Sequence, residues 1–427
     1  MGLDRGNETT TQLLTLLNVS ATKAGKRKWD HQESKPAQPL NKRRAIQFAD
    51  APLSEVANVV RVAAEEVTSP NEEEVGTEGA SETQVEVVEA EDGSEDPSAD
   101  PYEVHYGAKS NVCTEERRNA ADEKAWEMSR EKLGKLGGVV QYTAGAAETK
   151  PAEKQTSRSA ILERLKTPFE ERQAKLPKEL AAIQNDLLSL LSSNRDLYLT
   201  RTPLDSQQAL REAISLHMLN HITKKRRRVL KNNERLAHAS KSGAPAPEDV
   251  QDQGFTRPSV LVLLPFRSFA LRWVTALTSH TPSPTFQIEN HSRFQSEYGL
   301  PSGAVDKLES AEPGTYPRDH VEMFKGNVDD SFRVGIKLTR KSVKLFADFY
   351  GCDLILASPL GLRMSIEKDQ NADFLSSIEM LVVDQMDALT MQNWEHVQFV
   401  FSHLNKLPKE SHDVDFSRIK PWYLDGQ

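Results

Sequence analysis

Apolar residues follow three regimes along this chain. Up to about residue 156 they are sparse and keep no period. From Ser157 they recur every three to four positions, and beyond Gly254 they gather into short apolar runs separated by helical stretches. In the middle regime Leu180, Ile183, Leu187 and Leu190/Leu191 form one stripe of a helix, with Pro168 and Pro177 punctuating the approach to it. A longer helix is expected after Asp205, which is suited to cap its amino end. Leu210, Ile214, Met218 and Ile222 share one face of it, and the cationic segment Lys224 to Arg235 forms its end. The Pro-, Gly- and acid-rich stretch "KSGAPAPEDVQDQG" (241–254) then reads as a linker. The expected organisation is a tail over 1–156, a helical segment over 157–240, a linker over 241–256 and a sheet-bearing domain over 257–427.

In the last regime the spacing predicts strands at Val260–Leu264, Phe332–Ile336, Leu354–Ala357 and Ile378–Val383, with helices at Ser268–Leu277 and Arg340–Tyr350. Ser279 to Asp330 reads as a long surface insertion. Alternating strands and helices imply an α/β fold, a parallel sheet with helices on both faces, whose function gathers at the carboxyl ends of the strands.

Composition divides the chain further. Only 37% of the 427 residues are hydrophobic, too few for every segment to bury a core. Between Val62 and Ala108 stand fifteen acidic residues and no Lys or Arg, so the remainder of the chain is positive by six although the whole carries −9. Such an acidic block stays solvated and disordered, either as a spacer or as a contact for basic ribosomal or histone-like surfaces. Ahead of it lie two basic clusters, Lys26-Arg27-Lys28 and Lys42-Arg43-Arg44, spaced as a nuclear import signal would be. "DPYEVHY" (Asp100–Tyr106) interrupts the tail with the look of a short docking motif. Cys113 and Cys352 lack metal-site spacing, and no apolar window approaches a membrane span or a secretory signal, so a soluble protein of a reducing compartment is expected.

Three predicted strand ends carry chemistry: "PFRSFALRW" (265–273), "ASPLGLRM" (357–364) and "DQMD" (384–387). Their order and placement resemble the first RecA-like lobe of DEAD-box RNA helicases. The resemblance implies that Arg267, Ser358 and Gly361 face RNA backbone, and that Asp384, Gln385, Met386 and Asp387 occupy the place of the Walker B motif, with Gln385 where a glutamate would orient water. The run Lys224, Lys225, Arg226, Arg227, Arg228 is a further phosphate-binding candidate, set against a solvated helix end whose cations meet the helix dipole. The nucleotide half of the pattern is missing. A phosphate cradle needs GxxxxGK[ST], and the nearest string, "SREKLGKLGG", has Ser129 and Leu136 where Gly and Ser/Thr are required. At the expected place, between a short strand and the long helix, "DLYLTRTPLDSQQAL" (196–210) contains neither glycine nor lysine.

Longer segments narrow the resemblance. "VDDSFRVGIKLTRKSVKLFADFYGCDLILASPLGLRM", "FLSSIEMLVVDQMDALTMQNWEHV" and "DVDFSRIKPWYL" resemble the digestive-organ expansion factor family of helicase-like proteins, with support from "VLKNNERL" and "DPYEVHY". The resemblance implies a nucleolar, non-catalytic RNA- and protein-binding scaffold without cofactor. Its partners would be pre-rRNA, the U3 small nucleolar ribonucleoprotein and other small-subunit processome proteins, and its task the cleavages that yield 18S rRNA. The family has two RecA-like lobes, and the sequence ends at Gln427 with only the first expected. The alternative is an active ATP-dependent RNA helicase in which Asp384 and Asp387 hold magnesium. "SHDVD" (411–415) reads as capping rather than metal ligation, and Trp394 and Trp422 as packing anchors rather than base-stacking groups.

Overall fold

Asp100 begins the first described element by accepting a hydrogen bond from the Tyr102 amide at 3.0 Å, which caps a short helix, α1 (Pro101–Tyr106). The computed structural model describes residues 100–107, 114–144, 161–281 and 287–424, apart from positions 201, 246, 248, 302, 340, 341 and 413. The paired basic clusters and the acidic block before Asp100 lie outside the described residues. The tail expected over 1–156 is corrected in its last third. Thr114 caps α2 (Glu115–Asp122), and strands β1 (Trp126–Leu133) and β2 (Gly137–Ala144) form an antiparallel hairpin. Gly134 and Gly137 turn that hairpin in the positive-φ region open to glycine. "SREKLGKLGG" is therefore strand, turn and strand.

Two amphipathic helices follow, α3 (Glu163–Gln173) and α4 (Lys178–Leu191), and then the 36-residue helix α5 (Gln207–Ser242), about 54 Å long at 1.5 Å per residue. The sequence differs from the structure here in three ways. Among the described residues no strand leads directly into α5; residues 195–199 are irregular and a single 3₁₀ turn leads in. Asp205 does not cap it but pairs with Arg318. The basic run 224–228 sits in mid-helix, because α5 continues to Gly243, whose left-handed φ ends it. Within the stretch read as linker, Val250 and Asp252 are buried, and the amides of Asp252 and Gln253 donate to the Arg418 carbonyl at 3.0 Å each.

The sheet grows from β3 (Val260–Leu263), buried on both faces, which leads into α6 (Arg267–Ser279). The insertion carries β4 (Gln287–Glu289), α7 (His291–Tyr298) and α8 (Arg318–Phe324). After it come β5 (Arg333–Leu338), β6 (Ser342–Ala347), β7 (Leu354–Ala357), α9 (Pro359–Asp369), β8 (Met380–Val383), α10 (Met386–Phe401) and α11 (Pro421–Leu424). The strands lie in the order β4-β6-β5-β7-β3-β8. β8, β3 and β7 are parallel in register, as are β4 and β6, but β5 is antiparallel to both neighbours. The sheet is mixed and parallel-rich, which corrects the all-parallel expectation. It also corrects the helix expected at Arg340–Tyr350. The Thr339 amide donates to the Ser342 carbonyl at 2.9 Å, and the Ser342 amide to the Thr339 hydroxyl at 2.8 Å. The chain reverses there, and Val343 and Leu345 enter the core at a period of two.

Alternation along the strands sends Val260, Val262 and Leu356 into one core with α5 and α6, and Leu261, Leu263 and Ile355 into another with α9 and α10. The helical segment and the sheet thus share a core. Among the described residues no helix is long and apolar enough to cross a membrane.

Candidate functional site

The carboxyl end of β8 delivers Asp384, and its carboxylate is already engaged. The Trp273 indole N–H donates to Oδ2 at 2.7 Å, the Gln385 amide donates to Oδ1 at 3.0 Å, and the Arg211 guanidinium stands 3.8 Å from Oδ2. Trp273 comes from α6, and Arg211 from the first turns of α5, where it is 7% exposed. Three elements therefore meet on one carboxylate. Gln385 holds φ 56° and ψ 51°, a left-handed conformation that starts α10, while Asp387 is exposed in that helix's first turn. A magnesium–nucleotide needs free carboxylate oxygens, a lysine and a glycine-rich cradle. Asp384's oxygens are taken, and the described residues of 195–206 form an irregular stretch and a turn closed by Ser206, whose hydroxyl donates to the Pro203 carbonyl, before α5 begins at Gln207. The residues present do not fit that group. Among the described residues no cluster of three or more His, Cys, Asp or Glu is placed to hold a metal.

The other edge residues are also turned inward. Arg267 donates to the carbonyls of Glu297 (2.9 Å) and Ser331 (3.0 Å), pairs with Asp329 at 3.2 Å and lies over the Tyr298 ring. Ser358 caps α9 by accepting from the Gly361 amide at 3.0 Å. Gly361 is required for a packing reason, since a Cβ there would lie 2.3 Å from the Phe332 carbonyl oxygen. These three residues hold β5, α6 and α9 together at one strand edge.

The basic run meets acidic groups of its own chain. Lys224 pairs with Asp100 at 2.5 Å, Arg228 with Glu103 at 3.0 Å, and Arg226 donates to the Leu338 carbonyl at 3.4 Å. "DPYEVHY" thus docks on the protein's own long helix. Tyr102 is 7% exposed against His221, and the Tyr106 hydroxyl donates to the Glu379 carbonyl.

Lys225 turns toward Glu379, the centre of a cluster that the sequence did not announce. Around that carboxylate lie Lys420 Nζ at 2.7 Å, His221 Nε2 at 2.8 Å, the Tyr423 hydroxyl at 2.9 Å and Lys225 Nζ at 3.4 Å. Burial alone would raise the Glu379 carboxyl, but Lys225, Lys420 and His221 outweigh it and hold it well below the usual carboxylate range. The same burial lowers Lys420 and His221, so the imidazole is neutral at pH 7 and donates its Nε2 hydrogen to the carboxylate. A second inner pair joins Arg418 to Asp252 at 2.8 Å, with Asn232 of α5 also donating to Asp252 at 2.8 Å. In "SHDVD", His412 pairs with Asp373 at 3.0 Å and Asp415 caps a 3₁₀ turn. Trp394 stands edge-on to Phe401, and Trp422 receives the Lys420 cation.

Residues 194–427 match the family described as "UTP25, NTP hydrolase-like domain". The chain belongs to the UTP25 family. Curated proteins called U3 small nucleolar RNA-associated protein 25 align with most of it. The one from Botryotinia fuckeliana is 40% identical over 340 residues, covering 79% of this chain and 45% of the relative. That from Podospora anserina is 42% identical over 339 residues, 77% and 48%. That from Schizosaccharomyces pombe is 37% identical over 344 residues, 78% and 50%. This UTP25-family chain spans about half the length of those relatives. No solved structure matches it significantly.

Proposed function

We propose that this chain is a non-catalytic, helicase-like scaffold of the small-subunit processome. It binds RNA and protein in the nucleolus, with the U3 small nucleolar ribonucleoprotein, pre-rRNA and other processome proteins as partners, and supports pre-rRNA processing toward 18S rRNA. The relatives' name, U3 small nucleolar RNA-associated protein 25, supports the assembly. One observation carries the non-catalytic part: Asp384, at the place where a nucleotide hydrolase would present its metal-holding carboxylate, gives its oxygens to Trp273 and Gln385. The β7-β3-β8 arrangement, with the three motifs at its carboxyl edge, supports a degenerate first RecA-like lobe as the scaffold's frame.

The test is phosphate release and nucleotide binding by the purified chain with saturating RNA and magnesium, run beside cosedimentation of the tagged chain with particles containing U3 small nucleolar RNA. We expect cosedimentation without turnover. RNA-stimulated turnover would replace this reading with that of an active ATP-dependent helicase, which the description "NTP hydrolase-like" otherwise favours.

A further inference from the structure

The hairpin β1–β2 has its polarity reversed. Opposed residues of an antiparallel pair share a face, so Trp126↔Ala144, Met128↔Tyr142, Arg130↔Val140 and Lys132↔Gly138 define one face of it. On that face Trp126, Met128, Val140 and Tyr142 are 49%, 53%, 48% and 61% exposed. The opposite face carries Glu127, Ser129, Glu131 and Leu133 on β1 and Gly137, Val139, Gln141 and Thr143 on β2; its β2 positions are half-buried and α2 packs against that strand, but only Leu133 and Val139 of this face are apolar. A strand pair with one face in water ordinarily turns its apolar side inward. Here two aromatic rings and two apolar side chains point outward.

Charge is sorted in the same way. Arg130 and Lys132 stand on the aromatic face, and both strand carboxylates, Glu127 and Glu131, stand on the other. The hairpin is also held in place by its tip rather than its body. The Asp186 carboxylate of α4 accepts from the amides of Lys135 (2.6 Å) and Leu136 (3.4 Å), Lys135 pairs with Glu179 at 3.5 Å, and Leu136 packs on the main core. An isolated two-stranded hairpin is only marginally stable in water. This one is clamped at its turn, so the strands present their aromatic and cationic face in a fixed pose.

We propose that this face is a binding platform for unpaired RNA, with two bases stacked on Trp126 and Tyr142 and the backbone phosphates met by Arg130 and Lys132. Aromatic rings accept any base because every base has a π-face, and cations on the face that carries neither strand carboxylate attract the backbone. An apolar protein partner would use the rings but gain nothing from the exclusion of both carboxylates, so charge complementarity favours nucleic acid. The inference rests on the RNA-binding part of the reading above and supplies it with a site. Of the groups that the sequence offers for RNA, Arg267, Lys224, Lys225, Arg226 and Arg228 have partners within the fold, and Arg227 is exposed on α5.

The experiment measures binding of the full chain to a fluorescently labelled single-stranded RNA of mixed sequence across a salt series. All positions changed are exposed, so the core is left intact. Trp126→Ala with Tyr142→Ala is expected to weaken binding about tenfold or more at every salt concentration. Arg130→Gln with Lys132→Gln is expected to flatten the log–log salt slope by about 1.4, at roughly 0.7 per cation for a single strand. Glu127→Gln with Glu131→Gln, on the opposite face, is expected not to weaken it. Wild-type affinity in the aromatic variant overturns the platform and leaves the RNA-binding reading standing. A wild-type chain that binds no RNA overturns both. An aromatic variant that keeps its RNA affinity but leaves the U3-containing particles marks the face as a protein contact and overturns the inference.

Discussion

The indole N–H of Trp273 donates to Asp384 over 2.7 Å, joining α6 to the end of β8 through a carboxylate that a nucleotide hydrolase would keep for its metal. The bond makes Asp384 a packing element. Trp273→Phe removes the donor and keeps most of the 1%-exposed ring. It should cost about 1–3 kcal/mol, since the acceptor is left partly unpaired. Urea unfolding of wild type and variant checks the magnitude.

Gln385→Glu tests whether one missing carboxylate explains the proposed inertness. It replaces the amide that donates to Asp384 at 3.0 Å with a second acidic group, at a residue already in left-handed backbone. The expected outcome is a lower melting temperature and no ATP turnover with saturating RNA and magnesium, because residues 196–210 contain neither glycine nor lysine to hold the phosphates.

Glu379→Gln should be among the most damaging substitutions of the described residues. It leaves Lys420, 2% exposed, and Lys225 without their anion, and breaking a buried pair from one side costs about 3–5 kcal/mol. The pH dependence has a definite sign. The folded-state pKa of Glu379 lies below its unfolded value, so its contribution is complete at neutral pH and is lost as pH falls through the folded pKa, below the usual carboxylate range. Denaturant midpoints of wild type and variant should therefore converge in strong acid.

His280 makes a second acid-sensitive point. Its ring is fully buried, with Nδ1 2.7 Å from the Arg172 guanidinium and Nε2 2.9 Å from the Glu212 carbonyl, so Nε2 carries the hydrogen. Burial, then Arg172, pushes it down to about 3. The unfolded chain takes up this proton first. Stability should fall as pH drops below about 6.5, by at most about 1.4 kcal/mol per unit from this residue, and level off near 3. His280→Gln should reduce that slope in a pH series of unfolding midpoints.

Gly134→Ala tests the clamp on the hairpin. A Cβ there would lie 2.2 Å from the Asp186 carboxylate, at a positive φ that alanine tolerates poorly. Amide exchange at Lys135 and Leu136 should accelerate, while the strands of the main sheet keep their protection.

Some of this was legible in the residues. β3 and β7 are continuous apolar runs buried on both faces, β8 is a continuous apolar run at the sheet edge with Leu381 exposed, and such runs announce themselves. β6 is ambiguous in sequence because "KSVKLFADFY" satisfies a helical period as well as a strand one, and what decides between them is the reversal at Thr339 and Ser342. The hairpin β1–β2 was lost in the polar tail, since its apolar side faces water and its sequence looks uncommitted. Gly134 and the Gly137-Gly138 pair were the signal that could have found it. At the candidate site Asp384 was placed correctly at a strand end, but its partners Trp273 and Arg211 come from distant helices. Glu379 and Lys420 each look like ordinary surface charges in sequence, and only the fold makes them neighbours.

The clasp that Arg418 and Lys420 place on α5 has a consequence for biosynthesis. Arg418 reaches Asn233, 185 residues earlier in the chain, and Lys420 supplies a charge that Glu379 needs beside Lys225 and His221. A chain emerging amino end first has made its long helix well before these residues exist. Until they leave the ribosome, Glu379 and Asp252 lack their final partners, so α5 can rest on the sheet through its apolar face but the clasp on its polar side cannot close. Folding of this region therefore waits on some of the last described residues to be translated. A message broken before codon 418 should yield a product that proteases clear rather than a partly working one.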